Sequence, residues 1–128
     1  MSNFIEPFQF ADTSICDELI EYHKTNEQFP GYIRGGVDRS IKASTDVGLQ
    51  SGKELDKYVG ELQKAVNHYI SVYEYCNMDA PWTIRECINI QHYKPNEGFF
   101  AWHAERTSLA VPSVTRHLVF MTYLNDRS

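Results

Sequence analysis

Residues 102–105 read Trp-His-Ala-Glu, and the spacing of His103 and Glu105 is the first feature that could do chemistry. In an extended chain, side chains two apart leave the same face. His103 and Glu105 then point one way together, with Trp102 and Ala104 pointing the other. A neutral imidazole beside a carboxylate supplies two of the three ligands of the 2-His-1-carboxylate triad. That triad holds Fe(II) and leaves positions open for oxygen and a co-substrate. Alone, H-x-E is a common doublet, and an ordinary surface or core pair is its usual meaning.

The elements that must position this pair are legible on both sides. Residues 82–94 alternate, with Trp82, Ile84, Glu86, Ile88, Ile90 and His92 on one face and Thr83, Arg85, Cys87, Asn89, Gln91 and Tyr93 on the other. This predicts a strand with polar groups on both faces, one of which lines a cavity. Pro95, Asn96 and Gly98 make a turn, and a second strand over 99–106 carries the H-x-E. A loop over 107–113 leads to a third strand, 116–124, with no charged side chain after Arg116. Tyr93 is either a buried phenol bonded to backbone or a site residue. His117 reads as a core or rim residue.

Upstream, Asp12 or Thr13 can cap a helix through about Lys24, with Ile15, Leu19, Ile20 and His23 on one stripe. His23 near its C-terminus complements the helix dipole. Ser51-x-x-Glu54 is a capping-box pattern. A stripe from Leu55 to Cys76 follows, predicting a helix roughly 35–40 Å long at 1.5 Å per residue. Its role is packing against a sheet, with His68 on the polar side. Residues 3–10 read as a short edge strand that packs Phe4, Phe8 or Phe10. Residues 37–46 alternate well enough for another. Arg34, Arg39 and Lys42 are candidates for an acidic substrate group, with a solvated strand face as the plainer reading.

The run from Tyr93 to Asp126 resembles the prolyl 4-hydroxylase-like branch of the 2-oxoglutarate, Fe(II)-dependent oxygenases, and most closely the small versions carried by bacteriophages. The resemblance rests on Tyr93-x-Pro95-x-x-x-Phe99, on His103-x-Glu105, and on Arg116 followed at fixed spacing by Tyr123-Leu124-Asn125-Asp126. It covers about the last third of the chain. It implies an α+β fold, with N-terminal helices packed on an incomplete double-stranded β-helix, or jelly-roll, sheet. Residues 1–128 then form a single domain, the N-terminal part of an oxygenase domain.

The resemblance further implies Fe(II) and 2-oxoglutarate as cofactors, with ascorbate as an optional reductant. His103 and Glu105 become metal ligands, Glu105 standing where Asp is commoner. Tyr93 becomes the donor to a 2-oxoglutarate carboxylate. The activity implied is hydroxylation coupled to conversion of 2-oxoglutarate to succinate and CO2. The family continues past Tyr-Leu-Asn-Asp to a second iron-binding His and an Arg or Lys for the distal carboxylate, and this sequence stops at Ser128. The expectation is therefore a fragment, inactive alone. The alternative is a non-catalytic binding or structural remnant of the fold. The substrate, peptide or small molecule, is not specified. The apolar strand 118–124 is expected to self-associate or to pair with a missing C-terminal half.

Composition narrows the remaining classes. A net charge of −5 with scattered Lys and Arg argues against a nucleic-acid surface. Three cysteines without C-x-x-C spacing argue against a disulfide framework or zinc site. No apolar run approaches the roughly 18 residues of a membrane span, and residues 1–10 lack a signal-peptide pattern. A cytoplasmic location is expected, the host cytoplasm if the chain is phage-encoded.

Overall fold

The computed structural model describes residues 3–106 and 108–126. The first helix, α1 (Ser14–Thr25), starts where expected. Asp12 Oδ1 accepts hydrogen bonds from the Ser14 amide (3.0 Å) and hydroxyl (2.6 Å), so the turn before the helix, not Thr13, closes its first turn. β1 (Phe29–Pro30), β2 (Lys42–Ala43) and β3 (Thr45–Leu49) follow. The second helix, α2, spans Lys53–Val72 and gives way to a 3-10 turn at Glu74–Asn77. The Ser51 capping box does not form. Gly52 takes the cap at φ 105°, a left-handed conformation open to glycine, and this turns the chain from β3 into the helix.

β4 (Ile88–His92) pairs antiparallel with β3 from Thr45↔His92 to Leu49↔Ile88, and β1 pairs with the other edge of β3. β5 (Gly98–Phe99) pairs with β2. The result is a three-stranded sheet ordered β1-β3-β4 and a two-stranded sheet β2-β5. Helices and small antiparallel sheets make this an α+β fold.

Only Ser44 separates β2 from β3, so residues 42–49 run as one length of chain that serves both sheets. Thr45 opposes His92, and Ala43 opposes Gly98. Two steps on one side match six on the other, so the Pro95-Asn96 turn loops out and the chain rejoins the same partner. Asn96 stands at φ 69° in this loop. Arg39 Nη2 donates to Glu97 Oε1 at 2.6 Å, and the Lys94 amide donates to Glu97 Oε2 at 3.0 Å, which pins its base.

The strands are shorter than their alternation predicts. β3 ends at Leu49, so residues 82–87 have no ladder partner and only Ile88–His92 pair. β5 stops because its partner chain bends into a turn: the Ile41 and Lys42 amides both donate to the Asp38 carbonyl. Residues 101–106 are consequently not a strand. Residues 116–124 are not one either, because among the described residues no backbone ladder forms along them. Residues 3–10 also lie outside any strand. Of the expected loop 107–113, Thr107 lies outside the described residues, and Ser113–Thr115 is a 3-10 turn.

The core lies between the helices and one face of the larger sheet. Ile15 and Leu19 of α1, Tyr58 and Leu62 of α2, Leu49, Ile90 and Phe10 form it, with Leu124 packed at its edge. Burying each such side chain contributes about 1.5–3 kcal/mol. His23 is buried here too, and its Nε2–H donates to the Thr45 carbonyl at 2.8 Å, tying the end of α1 to β3. The far half of α2 outruns the sheet and is met by the N-terminal segment instead. Phe4 packs on Tyr73 and Phe8 on His68, and Glu6 accepts from His68 at 2.8 Å, so His68 is partnered rather than free in solvent.

Candidate functional site

His103 and Glu105 come together although no strand holds them. His103 Nε2 lies 3.3 Å from Glu105 Oε1. The ring stacks on Phe99 at 4.1 Å between centroids, and Phe99 is the last residue of β5. His103 Nδ1 lies 3.2 Å from the Ala101 carbonyl. A carbonyl only accepts, so this contact is a hydrogen bond from Nδ1–H, and Nε2 is the ring nitrogen that faces Glu105. Both side chains are nearly half exposed.

Glu105 is approached from its other side by Arg116. The Arg116 Nη1 group donates to the Glu105 carbonyl and lies 3.8 Å from Glu105 Oε2. The same guanidinium grips Glu86 with two bonds, Nε to Oε2 at 2.7 Å and Nη2 to Oε1 at 2.6 Å. That grip holds the Glu86 carboxyl below the usual range and raises Arg116 further. A cavity of about 290 Å³ opens here, lined by Ala104, Glu105, Arg106, Arg116, His117 and Val119. His117 Nε2–H donates to the Cys76 carbonyl at 2.7 Å and its ring rests on Trp82, so this rim residue shares the cavity lining with Glu105 while that nitrogen is already engaged.

Tyr93 closes the ladder of β4 before the loop-out. Its hydroxyl donates to Gln91 Oε1 at 2.9 Å. Burial raises its pKa, and the nearby Asp46 charge adds to this. No hydrogen bond or ring contact among the described residues joins Tyr93 to His103 or Glu105. It stands on the polar face of the sheet, opposite the face that the helices cover. Register places Asp46, Asn89 and Gln91 on that face with it.

This face holds what the sequence left unread. Lys42, Ser44 and Asp46 are all buried. Asp46 accepts from Lys42 Nζ at 3.2 Å, Ser44 Oγ at 2.7 Å and Asn89 Nδ2 at 2.8 Å. Gly31 packs against them so closely that a Cβ there would fall 2.0 Å from Ser44 Oγ. Lys42 is therefore neither a solvated strand residue nor an open anion site, and Arg39 is committed to Glu97. The signal was the alternation Lys42-x-Ser44-x-Asp46, which puts a cation and an anion on one strand face.

Two nearby donors fit a metal ion in part. Adjacent ligands at about 2.0–2.2 Å from one ion stand roughly 3 Å apart, close to the His103–Glu105 separation. Among the described residues, no group of three or more His, Cys, Asp or Glu gathers to hold an ion. The described residues also include no helix long and apolar enough to cross a membrane. No protein-family model matches the chain, and no curated protein or solved structure matches it either.

Proposed function

We propose that the chain is the front part of a 2-oxoglutarate- and Fe(II)-dependent oxygenase domain, hydroxylase-like, in which His103 and Glu105 are two of the three protein ligands. The observation that carries this reading is the 3.3 Å approach of His103 Nε2 to Glu105 Oε1. The second histidine and the basic residue for the distal carboxylate come from outside the described residues. In the same reading the two small sheets are the start of a double-stranded β-helix, and Tyr93 offers its phenol to a co-substrate carboxylate from the polar sheet face.

When bound, iron and 2-oxoglutarate divide dioxygen between the co-substrate, which leaves as succinate and CO2, and the substrate, which gains a hydroxyl. This chain's residues hold two adjacent ligand positions, orient the co-substrate and wall one side of the site. With two protein ligands the chain binds the metal weakly and does not turn over 2-oxoglutarate alone.

Residues 118–124 form the contact to the rest of the assembly. They carry no charge, no backbone ladder forms along them among the described residues, and Val119, Met121 and Tyr123 are exposed. Such an edge pairs with a second copy or with the strands that complete the domain.

Anaerobic titration with Fe(II) in excess 2-oxoglutarate tests the site. A saturable charge-transfer band, lost in His103→Ala and in Glu105→Ala, is the expected result, with no succinate formed by the chain alone. A folded chain that shows no band at any Fe(II) concentration overturns the oxygenase reading. It would favour a non-catalytic binding domain, which the exposure of both donors also fits.

A further inference from the structure

The two oxygens of Glu105 are divided between two neighbours. Oε1 faces His103 Nε2, and Oε2 faces Arg116 Nη1. Arg116 is not free to choose its direction. Glu86 engages Nε and Nη2 together, and a planar fork gripped on two nitrogens cannot turn without breaking both bonds. The remaining nitrogen, Nη1, is thereby aimed at Glu105, whose carbonyl it also holds. Glu86 lies 30 residues before Arg116 and belongs to the stretch that leaves the sheet ahead of β4. The grip thus spans three segments that share no ladder.

We infer that Arg116, fixed by Glu86, is a positioning residue that draws Glu105 Oε2 aside and presents Oε1 alone beside His103. The functional meaning of this clamp rests on the reading of His103 and Glu105 as metal donors; its geometry does not. A carboxylate held in this way offers one oxygen to an ion rather than two. Partners of this kind around a ligand set its orientation, and their loss typically weakens metal affinity 10–100-fold. Lysine at 116 would keep the charge but lose the fork.

The test uses the full chain and two readouts. In the first, the His103 ring nitrogens are followed by NMR at fixed neutral pH. Glu105→Gln is expected to move them in the wild-type background, and this response is expected to fall to a small fraction in Arg116→Gln and in Arg116→Lys. An undiminished response in those backgrounds overturns the inference. Should Arg116→Gln fail to fold, Glu86→Gln, which keeps the arginine, carries the same comparison. In the second readout Co(II) alone is titrated and its visible absorption followed. A 10–100-fold weaker affinity in Arg116→Gln supports the clamp, and an unchanged affinity overturns it. A wild-type chain that binds no Co(II) yet shows the NMR coupling would keep the clamp and remove the metal reading.

Discussion

Lys42 and Asp46 form a 3.2 Å ion pair in which the ammonium side chain is 7% exposed and the carboxylate 1%. They stand on either side of Ser44, where the chain passes from one sheet to the other. The pair is satisfied by neighbours, since Ser44 and Asn89 complete the coordination of the carboxylate.

Removing one member leaves the other buried without a partner. Asp46→Ala is therefore expected to destabilise the fold by about 3–5 kcal/mol, the range for breaking a buried pair. Urea unfolding followed by circular dichroism reads this directly. A loss under about 1 kcal/mol, the range of exposed pairs, would mean that the pair is solvated in solution.

Gly31 is expected to resist any side chain. Gly31→Ala would drive a methyl group against Ser44 Oγ and should cost about 1–3 kcal/mol, as overpacking does. In a Ser44→Ala background the nearest obstacle is gone, leaving Lys42 Cε at 3.0 Å and Asp46 Oδ1 at 3.2 Å, and the penalty should shrink. Thermal melts of the four proteins give the coupling, and strictly additive shifts would show that Ser44 is not what Gly31 avoids.

The Glu86–Arg116 grip has a defined pH window. The hydrogen bond from Arg116, and then its charge, lowers the Glu86 carboxyl from its ordinary 4.5 in the folded chain. A group depressed on folding stabilises above its unfolded value and stops doing so as pH falls through the folded one. The stability gap between wild type and Glu86→Gln should thus be full at neutral pH, shrink below about 4.5 and close in stronger acid. Melting temperatures across pH 3–7 test this, and a gap that widens in acid would contradict it.

A side-chain hydrogen bond helps tether residues 118–124 to the helices, beside the packing of Phe120 on Tyr58 and of Leu124 on the core. Tyr58 on α2 meets Thr122 Oγ1 at 2.7 Å. Tyr58→Phe should cost about 0.5–1.5 kcal/mol and speed amide exchange over residues 118–124. Met121 is 74% exposed, so Met121→Lys should leave monomer stability within about 0.5 kcal/mol while suppressing association. Light scattering at increasing concentration decides it. A wild-type chain that stays monomeric would remove pairing with a second copy and leave pairing with the strands that complete the domain.

Both helices were legible because their apolar spacing is local, although α2 ends at Val72, short of the expected Cys76, and of its marked stripe fully buries only Tyr58 and Leu62. Ile15, Leu19 and His23 on α1, and Tyr58 and Leu62 on α2, are inside as the periodicity predicts. Strand extents were not, because a strand exists only as far as its partner runs. Residues 82–87 alternate as well as 88–92 but outlast β3, and residues 116–124 have the right composition with nothing beside them. His103 and Glu105 came together by a bend and a ring stack rather than by strand alternation. The guanidinium bridge between Glu86 and Arg116 spans 30 positions, and no local pattern announces such a pair. The Lys42–Asp46 pair was written in the alternation, yet charge led the reading toward solvent.

Every ladder in the two sheets uses the stretch from Lys42 to Leu49. Cleavage of the backbone has opposite results at two nearby places. A nick within the looped-out residues 94–97 severs no ladder: β3-β4 stays whole within one piece, and β2-β5 joins that piece to the other. A nick at Ser44 breaks the stretch that both sheets share and puts Lys42 and Asp46 on different fragments, which only the β1-β3 and β2-β5 ladders then hold together. The first is a place where the chain tolerates being divided and reassembled. The second is fully buried, so a protease reaches it only after the sheets have opened.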